Sequence, residues 1–246
     1  MTVLTTDRFL DGRIAVRQFA DGFRAGLDAV MLAAAIPART EDEGLELGGG
    51  CGTASLCLAQ RAAGCSIAGL EIDPELVALA NENSAQNGFG ARIRFVAGDV
   101  FDLPRELRRD FAHVFCNPPF HGESGQASPM ESRDRALRDI GGHLGDWIEA
   151  GLKRTASGGT FTIILRADRM SEALARLPER GVTIFPLWPR AGEPAKRVIL
   201  QAHKGSRAES VLAPGLVLHQ ADGSYTGAAD AVLRGAALSI GSSTNL

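Results

Sequence analysis

The stretch GLELGGGCGT, residues 44–53, reads as a short apolar strand that stops in glycines and runs straight into a helix. Glycines at that junction let the chain turn sharply and let a ligand approach the backbone. The helix beginning at Thr53 presents N–H groups with no intrahelical partner. A dinucleotide fingerprint, G-x-G-x-x-G, is absent: counted from Gly48 its last position is Thr53, and counted from Gly50 it is Ser55. What remains is G-x-G-x-G with an acid, Glu46, two residues ahead.

Outward from this loop, strands and helices alternate. Strands are expected at 44–47, 65–70, 93–97, 111–116 and 161–165, and helices at 53–63, 74–86, 142–155 and 169–177. Strands at 183–187 and 197–202 have no evident helix between them. Such alternation predicts an α/β fold, a mostly parallel sheet with helices on both faces and an antiparallel edge. Residues 1–40 form a preamble: a hairpin around Asp11-Gly12, then a helix over 26–36 stopped by Pro37. Residues 41–203 form the main domain. Residues 204–246 read as a C-terminal extension of it, with short strands and a closing helix at 227–234.

The 246 residues amount to one large domain, or one with an appendage. With 45% hydrophobic and 22% charged residues the chain can bury a core. A formal net charge of -3 argues against coating nucleic acid by bulk charge, though not against a local basic patch. The longest apolar stretch, Ala29 to Ala38, is about half of what a membrane helix requires. The N-terminal residues have no apolar signal-like segment, so a cytoplasmic protein is expected. Cys51, Cys57, Cys65 and Cys116 form neither a CxxC pair nor a zinc-type cluster, so no metal is expected, and they read as small buried residues.

In open α/β sheets ligands bind beyond the carboxyl ends of the strands. The second strand of the main domain ends in Glu71-Ile72-Asp73, 19 residues after Gly52, where a carboxylate can accept from both hydroxyls of a ribose. The third is followed by Gly98-Asp99-Val100-Phe101, where an acid could accept from an exocyclic amine. The fourth ends in Asn117-Pro118-Pro119-Phe120. Two prolines fix the backbone and remove two N–H donors, leaving carbonyl oxygens beside the Asn117 amide. That array accepts from an NH2 group, and Phe120 offers a face on which a planar base or amide can stack.

These four segments, in this order and spacing, resemble the motifs of the class I S-adenosylmethionine-dependent methyltransferases, with NPPF similar to the fourth motif of the amino-methylating group. The resemblance spans roughly residues 44 to 203. It implies a Rossmann-like, seven-stranded sheet with an antiparallel strand, and S-adenosylmethionine as cofactor. It also implies that Gly48, Gly50 and Gly52 let the backbone approach the methionine part and that Glu46 organises the loop. Glu71 would hold the ribose, Ile72 would pack on the adenine, and Asp99 would accept from its amine, with the Val100 N–H nearby. Asn117 and the Pro118 carbonyl would grip the target amine, next to Pro119 and Phe120. Glu46 stands where Asp is commoner, and Cys51 where a small aliphatic residue is commoner.

The preamble stretch FRAGLDAVMLAAA, with Gly26 and Asp28, resembles the segment ahead of the first motif in bacterial tRNA-Val adenine-N6 methyltransferases, where Gly-x-Asp at a helix start helps close the cofactor site. Taken alone, Asp28 is equally an ordinary helix N-cap. PRAGEPAKRVILQAHKGSR also resembles that group. Its cations Arg190, Lys196, Arg197, Lys204 and Arg207 could bind RNA phosphates or could form a solvated edge. The resemblance therefore implies methylation of adenine N6 in tRNA. Guanine N2 in ribosomal RNA, the glutamine amide of a protein, and a non-catalytic cofactor-binding partner are the alternatives. The loop 121–141 reads as a substrate lid.

Overall fold

The computed structural model describes residues 3–21, 24–119 and 144–241. Strands β1 (Leu4–Phe9) and β2 (Ile14–Phe19) pair antiparallel as the expected hairpin, with Asp11 at φ 59° and Gly12 at φ 81° in its turn. Helix α1 (Leu27–Ala35) follows. The main domain then alternates β3 (Glu43–Leu47), α2 (Thr53–Arg61), β4 (Ser66–Glu71), α3 (Pro74–Gln86), β5 (Ile93–Ala97) and β6 (Phe111–Cys116). After residue 143 come α4 (Leu144–Arg154), β7 (Thr155–Arg166), α5 (Met170–Leu174), β8 (Val182–Trp188) and β9 (Arg197–His203). Two short strands, β10 (Val211–Leu212) and β11 (Leu216–Val217), and α6 (Gly227–Leu233) complete the chain.

The sheet runs β10-β8-β9-β7-β6-β3-β4-β5, with β11 beside β8. β3 to β7 are mutually parallel, and β9 is antiparallel to both β7 and β8. The seven strands β3 to β9 are the expected Rossmann-like set, and the antiparallel β8–β9 pair lies at the edge. The reversed strand itself, β9, is the inner member of that pair. The short β10 and β11 extend the sheet parallel to β8 and bring it to nine strands.

The chain order reverses at β3, which has β4 on one side and β6 on the other, so the crevice outside the carboxyl ends opens there. The register makes this concrete. Leu47 lies opposite both Leu70 and Cys116, so Gly48, Glu71 and Asn117 leave three adjacent strands at one level.

Alternating side chains divide between two cores. Phe115 and Ile164 point to one face, where Met31, Leu32, Leu56 and Leu58 pack. Val114, Cys116 and Ile163 point to the other, against Trp147, Ile148 and Phe161. Helix α1 belongs to the first core, because every residue from Ala29 to Ala35 is buried. Its final carbonyls, which lack helical partners, are met from outside. Arg61 Nη2 donates to the oxygens of Ala33 and Ile36, and Gln201 Nε2 donates to Ala35 O at 3.1 Å. The C-terminal segment closes over the same helix, with Leu238 N donating to Ala34 O at 2.8 Å.

Two expected helices differ most from the sequence pattern. Ser157-Gly158-Gly159 does not close a helix. Helix α4 ends at Arg154 and β7 begins at Thr155, whose Oγ1 donates to Gly151 O at 2.8 Å. The glycines take up an irregularity: Phe111 pairs with Thr155, but His113 pairs with Thr160. Gly158 has φ 77°, and a Cβ on Gly159 would lie 2.5 Å from Ala112 O, so the strands meet only with glycine there. The helix expected over 169–177 is a 3-10 turn, Ala167–Arg169, followed by the five residues of α5.

Candidate active site

Glu71 ties the strand ends together. Its Oε2 accepts from Gly50 N at 2.8 Å, and its Oε1 accepts from Ile72 N at 2.8 Å and Asp73 N at 3.1 Å. A carboxylate has about four acceptor sites, so three backbone donors leave room for one more. The glycine loop is anchored from below as well, since Gly48 N and Gly49 N both donate to Leu70 O, at 2.8 and 3.0 Å.

The loop's glycines do different work. Gly48 has φ +66°, and a Cβ there would lie 2.7 Å from Trp147 Cη2, so the loop rests directly on the indole. Gly50 has φ +55°, and a Cβ there would meet nothing within 4 Å among the described residues, so its α-carbon faces open space. Glycine at 48 therefore serves packing. Glycine at 50 serves conformation and access.

Glu46 is buried at 4% exposure under this loop. It accepts from Ser55 N at 3.2 Å and from Ser55 Oγ. Gly52, the N-cap of α2, offers no side chain, so an acid from β3 satisfies a first-turn donor in its place. Burial pushes the Glu46 carboxyl up to about 7. Asp99 is half-buried, and its Oδ1 accepts from Phe101 N at 2.8 Å. Val100 beside it is buried.

Asn117 Oδ1 is shielded from solvent and has no hydrogen-bond partner among the described residues. Such an atom is costly unless something supplies a donor. Asn117 lines a cavity of about 440 Å³ together with Gly26, Asp28, Lys196, Arg197 and His219. Pro118 is buried and Pro119 exposed beside it. Phe120 and the loop 121–141 lie outside the described residues.

The preamble thus reaches the cavity, but Asp28 is not an N-cap. The cap position is Gly26, without a side-chain bond, and Asp28 sits in the first turn. Asp28 Oδ2 accepts instead from Arg197 Nε at 2.8 Å. The five expected cations do not form one surface. Lys196 and Arg197 line the cavity, and Arg190 pairs with Glu193 at 3.3 Å. Lys204 and Arg207 lie beyond the opposite end of β9, about 20 Å away along its seven residues. Lys204 Nζ donates to Leu152 O at 2.9 Å and Thr155 O at 2.6 Å, where helix carbonyls end. The extended length of β9 separates cations that are close in sequence, and its reversal puts the Lys196–Arg197 end at the cavity.

Sequence reasoning missed how the hairpin is held. Asn83 in the last turns of α3 and Asn87, its C-cap four residues on, offer their amides to β2 as a further strand would. Asn83 Oδ1 accepts from Arg17 N at 2.9 Å, and its Nδ2 donates to Arg17 O and Cys51 O, both at 3.0 Å. Asn87 bonds Ala15 N at 3.0 Å and Ala15 O at 2.7 Å in the same way. Gln18 adds an acceptor for Ala25 N at 2.8 Å and Cys51 Sγ at 3.4 Å. Asparagines spaced four apart on a helix were the available signal, because they are poor helix formers kept for another purpose.

Residues 25–139 match the family model of the methyltransferase small domain. A tRNA1(Val) (adenine(37)-N6)-methyltransferase of Actinobacillus pleuropneumoniae is 30% identical over 211 residues, covering 82% of this chain and 85% of that protein. The chain belongs to this family of class I S-adenosylmethionine-dependent methyltransferases. A protein with the same name from Haemophilus influenzae is 27% identical over 86% of this methyltransferase and 90% of its own length. Among solved structures, a protein of Agrobacterium tumefaciens described as a predicted O-methyltransferase superposes with a TM-score of 0.71 at 27% identity, covering 86% of this chain and 98% of its own.

The cofactor of this methyltransferase is S-adenosylmethionine, and the carboxyl ends of β3 and β4 fit it. Gly50 leaves open space among the described residues, and Glu71 keeps an acceptor site. Among the described residues, no group of three or more His, Cys, Asp or Glu side chains is placed to hold a metal ion. No described helix is long and apolar enough to cross a membrane.

Proposed function

We propose that this methyltransferase modifies the exocyclic N6 amine of an adenine in tRNA, the substrate that its relatives' names carry. The observation that supports the reading best is the shielded, unpartnered Asn117 Oδ1 on a cavity that Lys196 and Arg197 also line. An amine donor answers that oxygen, and cations answer the phosphates around the base.

When bound, S-adenosylmethionine supplies an electrophilic methyl group. Asn117 Oδ1 and the Pro118 carbonyl accept the two N–H bonds of the amine and bias the nitrogen lone pair out of conjugation with the ring. Phe120 supplies the stacking face. These residues work by position and electrostatics, with no strong base required. Glu71 and Ile72 hold the ribose and adenine of the cofactor, and Asp99 accepts from the adenine's amine with the Val100 N–H nearby. Glu46, Gly48, Gly50 and Gly52 shape the loop around the methionine part. The preamble 1–40 closes this site through Gly26 and Asp28. Residues 41–203 carry the chemistry, and 204–246 extend the same domain. Of the five cations the phosphate contact falls to Lys196, since Arg197 is committed to Asp28 and Arg190 to Glu193.

The test offers purified protein and methyl-labelled S-adenosylmethionine to unmodified tRNA and, separately, to ribosomal RNA. The RNA is then digested and the labelled nucleoside identified by mass spectrometry. Label in N6-methyladenosine from tRNA is expected. Label in N2-methylguanosine, or none in either RNA, overturns the substrate.

A further inference from the structure

His219 lines the cavity that holds Asn117, and its ring is stacked on Tyr225, with centroids 4.7 Å apart and planes 27° from parallel. Tyr225 is the chain's single tyrosine and is 42% exposed. The pair is set before anything binds. His219 Nδ1 donates to Gly223 O at 3.1 Å. The turn beneath it closes through Gln220 N to Ser224 O at 2.8 Å and Thr226 N to Leu218 O at 2.9 Å. Lys196, exposed, lines the same cavity.

We infer that the His219–Tyr225 pair is a stacking platform for a nucleobase next to the methylated adenine. This deepens the tRNA reading and rests on it. A base turned towards Asn117 leaves its neighbours unstacked, and an aromatic face replaces the lost stacking whatever the base. Because both rings are already held, little side-chain freedom is lost when a base lands on them. Lys196 supplies the positive charge that the intervening phosphate needs. The platform belongs to substrate binding, so it acts on RNA affinity and leaves the transfer step alone.

The experiment measures steady-state methylation of an unmodified tRNA transcript by wild type, Tyr225→Ala and Tyr225→Phe, with S-adenosylmethionine affinity followed by calorimetry. Tyr225→Ala should raise KM for the tRNA about tenfold, the scale of one lost aromatic–base contact. Its kcat should stay within about twofold and its cofactor affinity should match wild type, while Tyr225→Phe should behave as wild type. A transcript carrying 2-aminopurine beside the target adenine should be quenched on binding wild type and not on binding Tyr225→Ala. An active wild type with KM unchanged in Tyr225→Ala overturns the platform alone. Loss of cofactor affinity in parallel with KM makes Tyr225 merely structural and also overturns it. A wild type that labels no tRNA adenine overturns the substrate reading and the platform with it.

Discussion

Asp28, in the first turn of α1, accepts a 2.8 Å hydrogen bond from Nε of Arg197, the first residue of the reversed strand β9, across 169 residues of chain. The bond joins the preamble to the sheet at the wall of the cavity that Asn117 lines. Both side chains are substantially covered, at 19% and 33% exposure, which reduces solvent screening. Asp28→Asn and Arg197→Ala should each destabilise the protein, and the double variant should cost less than their sum. A coupling of about 1 kcal/mol is expected from urea unfolding of the four proteins. Additive effects would mean that the pair contributes nothing to stability.

Asn117→Ala should leave S-adenosylmethionine affinity nearly unchanged and lower kcat by at least about a hundredfold, as loss of a group that acts on the reacting nitrogen does. Calorimetry and single-turnover methylation separate the two quantities. Equal losses in both would place Asn117 with cofactor binding rather than with the amine.

Alanine at Gly48 and at Gly50 should fail for different reasons. Both have positive φ, which costs an alanine about 1–2 kcal/mol. Gly48→Ala also drives a methyl into Trp147, so its thermal midpoint should fall further. Gly50→Ala meets open space in the protein and should keep most of its stability while losing cofactor affinity. The proposed role of Gly50 fails if its alanine variant binds S-adenosylmethionine as tightly as wild type.

Glu46 makes stability depend on pH in an unusual direction. Its carboxyl is raised from 4.5 to about 7 by burial, so the folded state holds this proton more tightly than the unfolded chain. Its contribution is fully present below pH 4.5 and is lost as pH rises towards 7, by about 3 kcal/mol at most. Glu46→Gln keeps an acceptor for Ser55 and removes the titration. The difference in unfolding free energy between wild type and Glu46→Gln should therefore shift in favour of the variant between pH 4.5 and 7. A difference that stays flat over that range would show that Glu46 is ionised in the folded protein throughout.

His113 and Asp42 act in the opposite sense. His113 Nε2 lies 3.0 Å from Asp42 Oδ2, and Nδ1 lies 2.8 Å from Thr160 Oγ1. Burial holds the imidazole below its usual value of 6.5, and bonds from Arg39 and His113 hold Asp42 below 3.8 against a desolvation that favours the neutral acid. Both groups stabilise above their unfolded values and lose that contribution as pH falls. His113→Gln should flatten the loss of stability below about pH 6.5 in urea titrations. An unchanged acid slope would rule out His113 as its source.

The elements were legible because local signals agreed. Pro74 starts α3 behind the Asp73 cap, whose Oδ1 accepts from Glu75 N at 2.9 Å, and Asn87-Gly88 ends it. The bounds of α3, β5 and β6 match the sequence pattern for that reason. The glycines at 158 and 159 misled because a helix terminator and a bulge need the same residue, and only the approach of Ala112 O separates them. Arg190, Lys196, Arg197, Lys204 and Arg207 looked like one basic segment because charge density along the chain carries no direction.

By itself the sequence determined the order of elements, the glycine loop, and the acids and amide at successive strand ends. Those follow from backbone propensity and side-chain period, which act over a few residues. Only the tertiary structure decided what meets what. Strand register sets Gly48, Glu71 and Asn117 at one level, and the reversal of β9 brings Arg197 to Asp28 while carrying Lys204 away. It also seats Asn83 and Asn87 along β2 and His219 on the cavity wall. These are contacts between residues far apart in the chain, fixed by packing two cores on one sheet, and no local pattern encodes them.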